Sequence, residues 1–335
     1  MLALAAATIY LRAGNLALVG ALTVGTVVSL RLYLDSALRP IRLLGRLWQQ
    51  YVQARVSFRQ LALPFAVPVL PTPTDPSNRA SAPPDCPRLS GALTFDAVSF
   101  AYPGTARSVV RELSFAIEPG RIVAVVGYTG AGKSSVAKLL GRTYDPTAGR
   151  ITVDGFDLRD LDLTSYRRRL GIVPQDAFLF RGTVAANIAY GRPDASADEI
   201  RRAAGGVGAL NTLLTLEGAF GATVDEEGRN LTAAQRQLIA LARMWLVEPD
   251  VLVLDEATAS LDAETEATVL DAVCGLGRTT LLITHRFAVT ARSDEVLVID
   301  DGRIVERGTH DELLAAGGHY TTLWTSTGDV DGVPV

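Results

Sequence analysis

Apolar positions dominate the first thirty residues without a clear helical or strand period, whereas from Leu93 onward short apolar runs alternate with longer amphipathic stretches. Residues 1–11 are apolar but reach only about 16 Å as a helix. Residues 13–30 carry no charge and have the minimum length that crosses a bilayer. They are expected to form a transmembrane helix, the alternative being a buried apolar hairpin of a soluble protein. Residues 49–63 have the spacing of an amphipathic helix. Residues 64–87 gather half of the chain's 16 prolines among Ser, Thr and Asp, which predicts a linker. Beyond it, Ile122–Val126 and residues 251–254, 280–283 and 296–299 read as strands, with a helix opening at Gly132. Apolar runs of this length separated by helices predict a parallel sheet covered on both faces.

Composition narrows the class. Apolar residues make up 48% of 335, enough for a packed core, so disorder is not the expected state. The 36 acidic and 32 basic side chains mix along the chain, leaving no basic footprint for nucleic acid, which is not an expected partner. Cys86 and Cys274 lie far apart and suit neither a disulfide scaffold nor zinc spacing, so both read as structural bystanders.

The placement of the cations adds two further points. Arg31, Arg39, Arg42, Arg46, Arg55 and Arg59 face a single acid, Asp35, after the uncharged stretch. Positive charge on that side places everything downstream in the cytoplasm of a cell whose plasma membrane the helix would cross. No basic region precedes the apolar run, so it does not read as a signal peptide. Of 32 basic residues only Lys133 and Lys138 are lysines, a bias that points to a GC-rich bacterial source. A lysine kept at position 133 implies a need for a compact ammonium rather than a guanidinium fork.

Gly127-Tyr128-Thr129-Gly130-Ala131-Gly132-Lys133-Ser134 follows a strand and opens a helix, the setting that a phosphate-binding loop requires. The glycines let successive N–H groups face phosphate, and the helix N-terminus adds its dipole. Lys133 would reach the β- and γ-phosphates of ATP, and the Ser134 hydroxyl, followed by Ser135, would ligate Mg²⁺. A second apolar run ends in Asp255 and Glu256, costly at a strand end unless a cation or water uses them. Asp255 would hold Mg²⁺ through its hydration shell, and Glu256 would polarise the attacking water.

With these motifs in order, the chain resembles the nucleotide-binding domain of ATP-binding-cassette (ABC) transporters from Leu93 to about Trp324. The resemblance implies an α/β P-loop NTPase fold with an antiparallel β subdomain and a helical subdomain, here preceded by an apolar membrane segment. Tyr102, in Phe-Ala-Tyr-Pro-Gly, matches the aromatic that stacks on adenine; alternatively it is a core tyrosine at a strand end. Gln175 matches the glutamine that contacts Mg²⁺ and water beside the membrane domain. His285 matches the histidine that reaches the γ-phosphate, and Ser260-Leu261-Asp262 the segment that faces a partner domain.

One motif departs from the family. Where the signature reads Leu-Ser-Gly-Gly-Gln, this chain has Leu231-Thr232-Ala233-Ala234-Gln235. Thr232 and Gln235 can still form a capping box and start the helix. Ala233 and Ala234, however, add methyl groups where the family's glycines let backbone approach the partner's phosphate. The expectation is a competent Walker site on this chain and a weakened site offered to its partner. A heterodimer with a second ABC subunit follows, a homodimer that tolerates the alanines being the alternative. The acidic turn Asp225-Glu226-Glu227 reads as either a solvated loop or a cross-subunit contact.

The N-terminal segment is similar to the last membrane helix of exporter-type half-transporters and its cytoplasmic extension. The expected organisation is a remnant of the membrane domain at 1–63, a linker at 64–90, the ATP-binding domain at 91–326 and a tail at 327–335. The chain thus reads as part of an exporter subunit that couples Mg-ATP hydrolysis to transport, from a longer protein or as a truncated relic. A soluble ABC ATPase and a nucleotide sensor that does not turn over are the competing readings. No residue speaks to the transported substrate.

Overall fold

The computed structural model describes residues 2–66, 86–105 and 107–326, which fall into two compact units, one N-terminal and one holding the motifs. Much of the expected linker and the whole of the expected tail lie outside the described residues.

The N-terminal unit consists of two helices, Leu2–Leu18 and Val24–Ala66. The expected transmembrane helix at 13–30 is not continuous. Gly20 takes a left-handed φ of 75°, and Ala21 N donates to Leu16 O at 2.9 Å while Gly20 N donates to Ala17 O at 3.1 Å. This closes the first helix in a Schellman-like turn that glycine alone adopts at no cost. Thr23 Oγ1 then accepts from Thr26 N at 3.3 Å and caps the second helix. Splitting the uncharged stretch leaves a first helix of 17 residues containing Arg12 and a second that meets Arg31 within its first turns. No helix among the described residues is long and apolar enough to cross a membrane. The amphipathic stretch at 49–63 forms the second half of Val24–Ala66.

The second unit is built on a six-stranded sheet in the order Arg303–Gly308, Glu295–Asp300, Ile122–Val126, Thr279–Ile283, Val251–Asp255, Leu170–Val173. All neighbours are parallel except the edge pair Glu295–Asp300 and Arg303–Gly308. A four-stranded antiparallel sheet, in the order Ser108–Ile117, Leu93–Ala101, Ala148–Val153, Phe156–Asp157, forms a second layer.

Strand periodicity assigns the two faces of the central sheet to two cores. Val123, Val125, Val251, Val253, Leu281 and Ile283 pack with Phe95, Phe100 and Phe115 of the antiparallel layer. Their neighbours Ile122, Ala124, Val126, Leu252, Leu254 and Leu282 point the other way, into a core shared with the helices Ala197–Gly206 and Ala233–Val247. Both faces being covered explains why these strands are apolar throughout.

Residues 86–92 are anchored where the strand Val251–Asp255 begins. Asp250, only 2% exposed, accepts from Leu89 N at 2.9 Å and lies 3.5–3.8 Å from the guanidinium groups of Arg88, Arg169 and Arg278. These contacts offset the cost of burying the carboxylate. Cys86 is buried beside it, and burial pushes its thiol above the ordinary value, so it is an inert packing residue. Burial does the same to Cys274 at the surface of its helix.

Candidate active site

Gly127 to Ser134 wraps the end of the strand Ile122–Val126 and runs into the helix Lys133–Leu140. The glycines are required for two different reasons. A Cβ on Gly127 would lie 2.1 Å from Ile299 O, and one on Gly132, at φ 109°, 2.7 Å from Val109 O. Gly130 has a left-handed φ of 85° but open space where a Cβ would be. Two glycines therefore let the loop pass neighbouring backbone, and the third supplies the turn that leaves the cleft side bare. Gly132 caps the helix without a side-chain hydrogen bond, and while Ser135 N and Val136 N donate to Gly132 O, the N–H groups of Lys133 and Ser134 at the helix start are suited to a ligand in the cleft.

Lys133 is 8% exposed, and its ammonium donates to Gly127 O at 2.7 Å and Tyr128 O at 3.1 Å. Burial pushes it below the ordinary lysine value, while Glu256 and Asp255 act in the opposite direction. Ser134 Oγ donates to Asp255 Oδ1 at 3.2 Å, which joins the loop to the end of the Val251–Asp255 strand. Burial raises the Asp255 carboxyl above its usual range, and the Ser134 hydroxyl partly offsets this.

Glu256 follows with its backbone in the left-handed region, φ 51°, its N–H donating to Ile283 O at 2.8 Å. That turn aims the side chain across the cleft. Gln175 Nε2 donates to Glu256 Oε2 at 2.6 Å, and His285 Nδ1 lies 3.6 Å from the same oxygen. Two segments far apart in sequence thus converge on one carboxylate oxygen of Glu256.

Tyr102, Gly127, Thr129, Gly130, Gly132, Lys133, Ser134, Ser135, Gln175, Glu256 and His285 line one cleft of about 540 Å³, joined by Val109. Tyr128 is exposed beside it, whereas Ala131 is buried in the core. Tyr102 is both a core and a cleft residue. Its ring packs edge-on against Phe100 and Tyr144, and its hydroxyl meets Ser135 Oγ at 3.0 Å. Sequence reasoning missed Val109, an apolar residue in no motif, and Lys138, whose ammonium lies 5.4 Å from the Tyr102 ring centre. The scarcity of lysine was the signal for the second.

Thr232 and Gln235 stand apart from this cleft, at the start of the helix Ala233–Val247. The capping box forms: Thr232 Oγ1 accepts from Gln235 N at 3.2 Å and Gln235 Oε1 from Thr232 N at 2.9 Å. Ala233 is exposed, near Gln175, Arg229 and Ser260. The acidic turn is exposed and organised internally, with Asn230 Oδ1 accepting from Asp225 N and Arg229 paired with Glu227 at 3.1 Å.

Residues 110–259 match the family model described as ABC transporter. This segment is an ABC transporter ATPase domain. Its chain is 42% identical over 309 residues to the multidrug efflux ATP-binding/permease protein of Mycobacterium tuberculosis, covering 92% of this chain and 25% of that protein. It is 38% identical over 309 residues to the ATM1-type heavy metal exporter of Novosphingobium aromaticivorans, covering 91% of this chain and 49% of that one. A solved bacterial Atm1-family ABC exporter with ATP bound superposes with a TM-score of 0.74 at 36% identity, covering 92% of this chain and 53% of that chain. The chain therefore spans a quarter to about half the length of these relatives. The ABC transporter match accounts for the two-layered sheets, the helical core and the phosphate loop.

Proposed function

We propose that this chain is the ATP-hydrolysing part of an ABC exporter subunit, in which Mg-ATP turnover at an interface between two such domains drives a membrane domain. The convergence of Gln175 and His285 on Glu256, opposite the phosphate loop, carries this reading. Lys133 and the first-turn N–H groups hold the β- and γ-phosphates, and Tyr102 packs against the adenine. Glu256 orients the attacking water and takes its proton, with Gln175 and His285 fixing the carboxylate.

Mg²⁺ fits the donor set. Ser134 Oγ and Asp255 Oδ1 converge to 3.2 Å with Gln175 across the cleft, all hard oxygen donors. Among the described residues no cluster of three or more His, Cys, Asp or Glu forms a metal cage, so Ser134, Asp255 and Gln175 would hold the ion together with nucleotide oxygens. When bound, it neutralises charge developing on the phosphate oxygens.

Three observations support the exporter role. The matched relatives are named as efflux and export proteins, and the matches exceed the span of residues 86–326, so they extend into the N-terminal helices. Those helices expose Leu43, Leu44, Leu47, Trp48, Tyr51 and Phe58, an apolar surface that the rest of a membrane domain would cover. In the ATPase unit, an apolar groove of about 900 Å³ opens beside the Gln175 loop, lined by Pro174, Ala177, Phe178, Tyr190 and Met244. A cytoplasmic helix of the membrane domain seated there would feel any movement of Gln175. The assembly sits at a bacterial plasma membrane with the ATPase domain in the cytoplasm.

The exposed methyl of Ala233 favours an asymmetric pair with a partner that carries an unaltered signature. Phosphate release from Mg-ATP is the test, by the full chain alone and with a candidate partner subunit, with Lys133→Ala and Glu256→Gln controls. Turnover that needs the partner and is lost in both controls supports the heterodimer. Equal turnover alone assigns a homodimer, and turnover that survives both substitutions removes the proposed site.

A further inference from the structure

Glu266 is 4% exposed, on the helix Ala263–Gly275, and it belongs to no motif described above. Its Oε2 lies 3.0 Å from Arg286 Nη2, while Oε1 is buried with no hydrogen-bond partner among the described residues. A buried carboxylate with one bare oxygen is a costly choice where an apolar side chain would pack as well. Packing alone does not account for it.

Arg286 immediately follows His285. Its backbone N–H donates to Thr284 Oγ1 at 2.9 Å, and Thr284 N in turn donates to Val125 O at 3.2 Å, which ties this step to the central sheet. Its other guanidinium nitrogen, Nη1, donates to Leu261 O at 3.4 Å. Leu261 lies between Ser260 and Asp262, and Asp262 caps the helix that carries Glu266, accepting from Thr265 N at 2.9 Å. One guanidinium thus holds the end of the His285 loop against both the 260–262 segment and the first turns of the helix behind it. A planar fork suits this double attachment better than a lysine would.

We infer that the Arg286–Glu266 pair is a positioning device that couples His285, which lines the nucleotide cleft beside Glu256, to the Ser260-Leu261-Asp262 segment. This rests on the reading of the cleft given above. Displacing His285 by a fraction of an ångström drags Leu261 through the guanidinium, because the half-buried Arg286 is held by Glu266 and by Leu261 O at once. A merely structural ion pair would stabilise the helix and leave the two segments independent.

Hydrogen exchange of the full chain with and without Mg-ATP tests this. In the parent, Mg-ATP is expected to slow exchange about tenfold in residues 283–287 and also in residues 258–264. Glu266→Met combined with Arg286→Met removes both charges and keeps the volume, so no unpaired buried charge remains to unfold the domain. In that variant the protection of 283–287 is expected to persist while that of 258–264 falls within about twofold of the nucleotide-free rate. Arg286→Lys should restore part of it. Protection of both segments in the double variant, or of 283–287 alone in the parent, overturns the coupling. Absence of protection at residues 127–135 in the parent would overturn the cleft reading itself, and the coupling with it.

Discussion

Gln175 and Glu256, 81 positions apart, meet through a 2.6 Å hydrogen bond from the amide nitrogen to the carboxylate Oε2. The amide fixes this oxygen, and in the proposed mechanism Oε1 is the one left for the water proton. Glu256→Gln is expected to lower ATP turnover by about 10²–10⁴-fold with nucleotide affinity retained, as measured by phosphate release and fluorescent-nucleotide titration. Gln175→Ala should lower turnover by about 10–10²-fold through misplacement of the same carboxylate. Turnover within twofold of the parent in Glu256→Gln would remove Glu256 from the chemistry.

The Lys133 ammonium donates to two backbone carbonyls of its own loop, Gly127 O and Tyr128 O. Lys133→Ala should weaken ATP binding by about 10–10²-fold, the value of one or two charge-assisted hydrogen bonds. Lys133→Arg should recover little of it despite keeping the charge. Full recovery by arginine would show that charge, not compactness, matters there.

Asp255 is held above its usual carboxyl range chiefly by burial. A raised folded-state value means that protonation favours the folded state, so this contribution is complete at acid pH and is lost as pH rises through the raised value. At neutral pH the ionised group then carries a desolvation cost. Asp255→Asn is expected to raise the melting temperature at neutral pH, and the gain should vanish as pH falls below the ordinary carboxylate range. It should also abolish Mg-dependent turnover. A thermal-shift series over pH decides, and a gain that grows toward acid would refute the assignment.

The loop glycines separate packing from ligand approach. Gly132→Ala meets Val109 O at 2.7 Å with φ at 109° and should cost about 1–3 kcal/mol in urea unfolding. Gly130→Ala meets no neighbour, so its cost should be limited to the left-handed backbone, about 1–2 kcal/mol, while ATP affinity falls further than stability does. Equal losses of affinity in both would contradict this division.

Restoring glycine at Ala233 and Ala234 together should leave the Thr232–Gln235 capping box in place. It should cost about 0.5–1 kcal/mol per residue in helix stability. If these methyls block the shared site, the double variant should hydrolyse ATP several-fold faster than the parent when assayed without a partner. An unchanged rate would assign the methyls no role.

Much of this architecture was legible along the chain because its signals are local. A strand that runs into glycines and a lysine, or ends in two acids, announces a phosphate loop or a metal-facing turn within ten residues. The capping box at Thr232 and Gln235 was readable for the same reason, since its partners are three positions apart. What sequence misjudged was the stretch at 13–30. Its composition suits a membrane helix, but a single left-handed Gly20 and a capping Thr23 divide it.

Residue types, strand period and motif spacing determined the class of fold and singled out Lys133, Ser134, Asp255 and Glu256 as site candidates. Tertiary structure alone decided which oxygen Gln175 and His285 share, why Gly127 and Gly132 admit no side chain, and why Asp250 and Glu266 stay buried beside arginines. The neighbours that settle those questions, Ile299, Val109, Arg278 and Arg286, lie 20 to 172 positions away from the residues they constrain. Local propensity carries no information about such distant pairs, because they are brought together by packing the two faces of the central sheet.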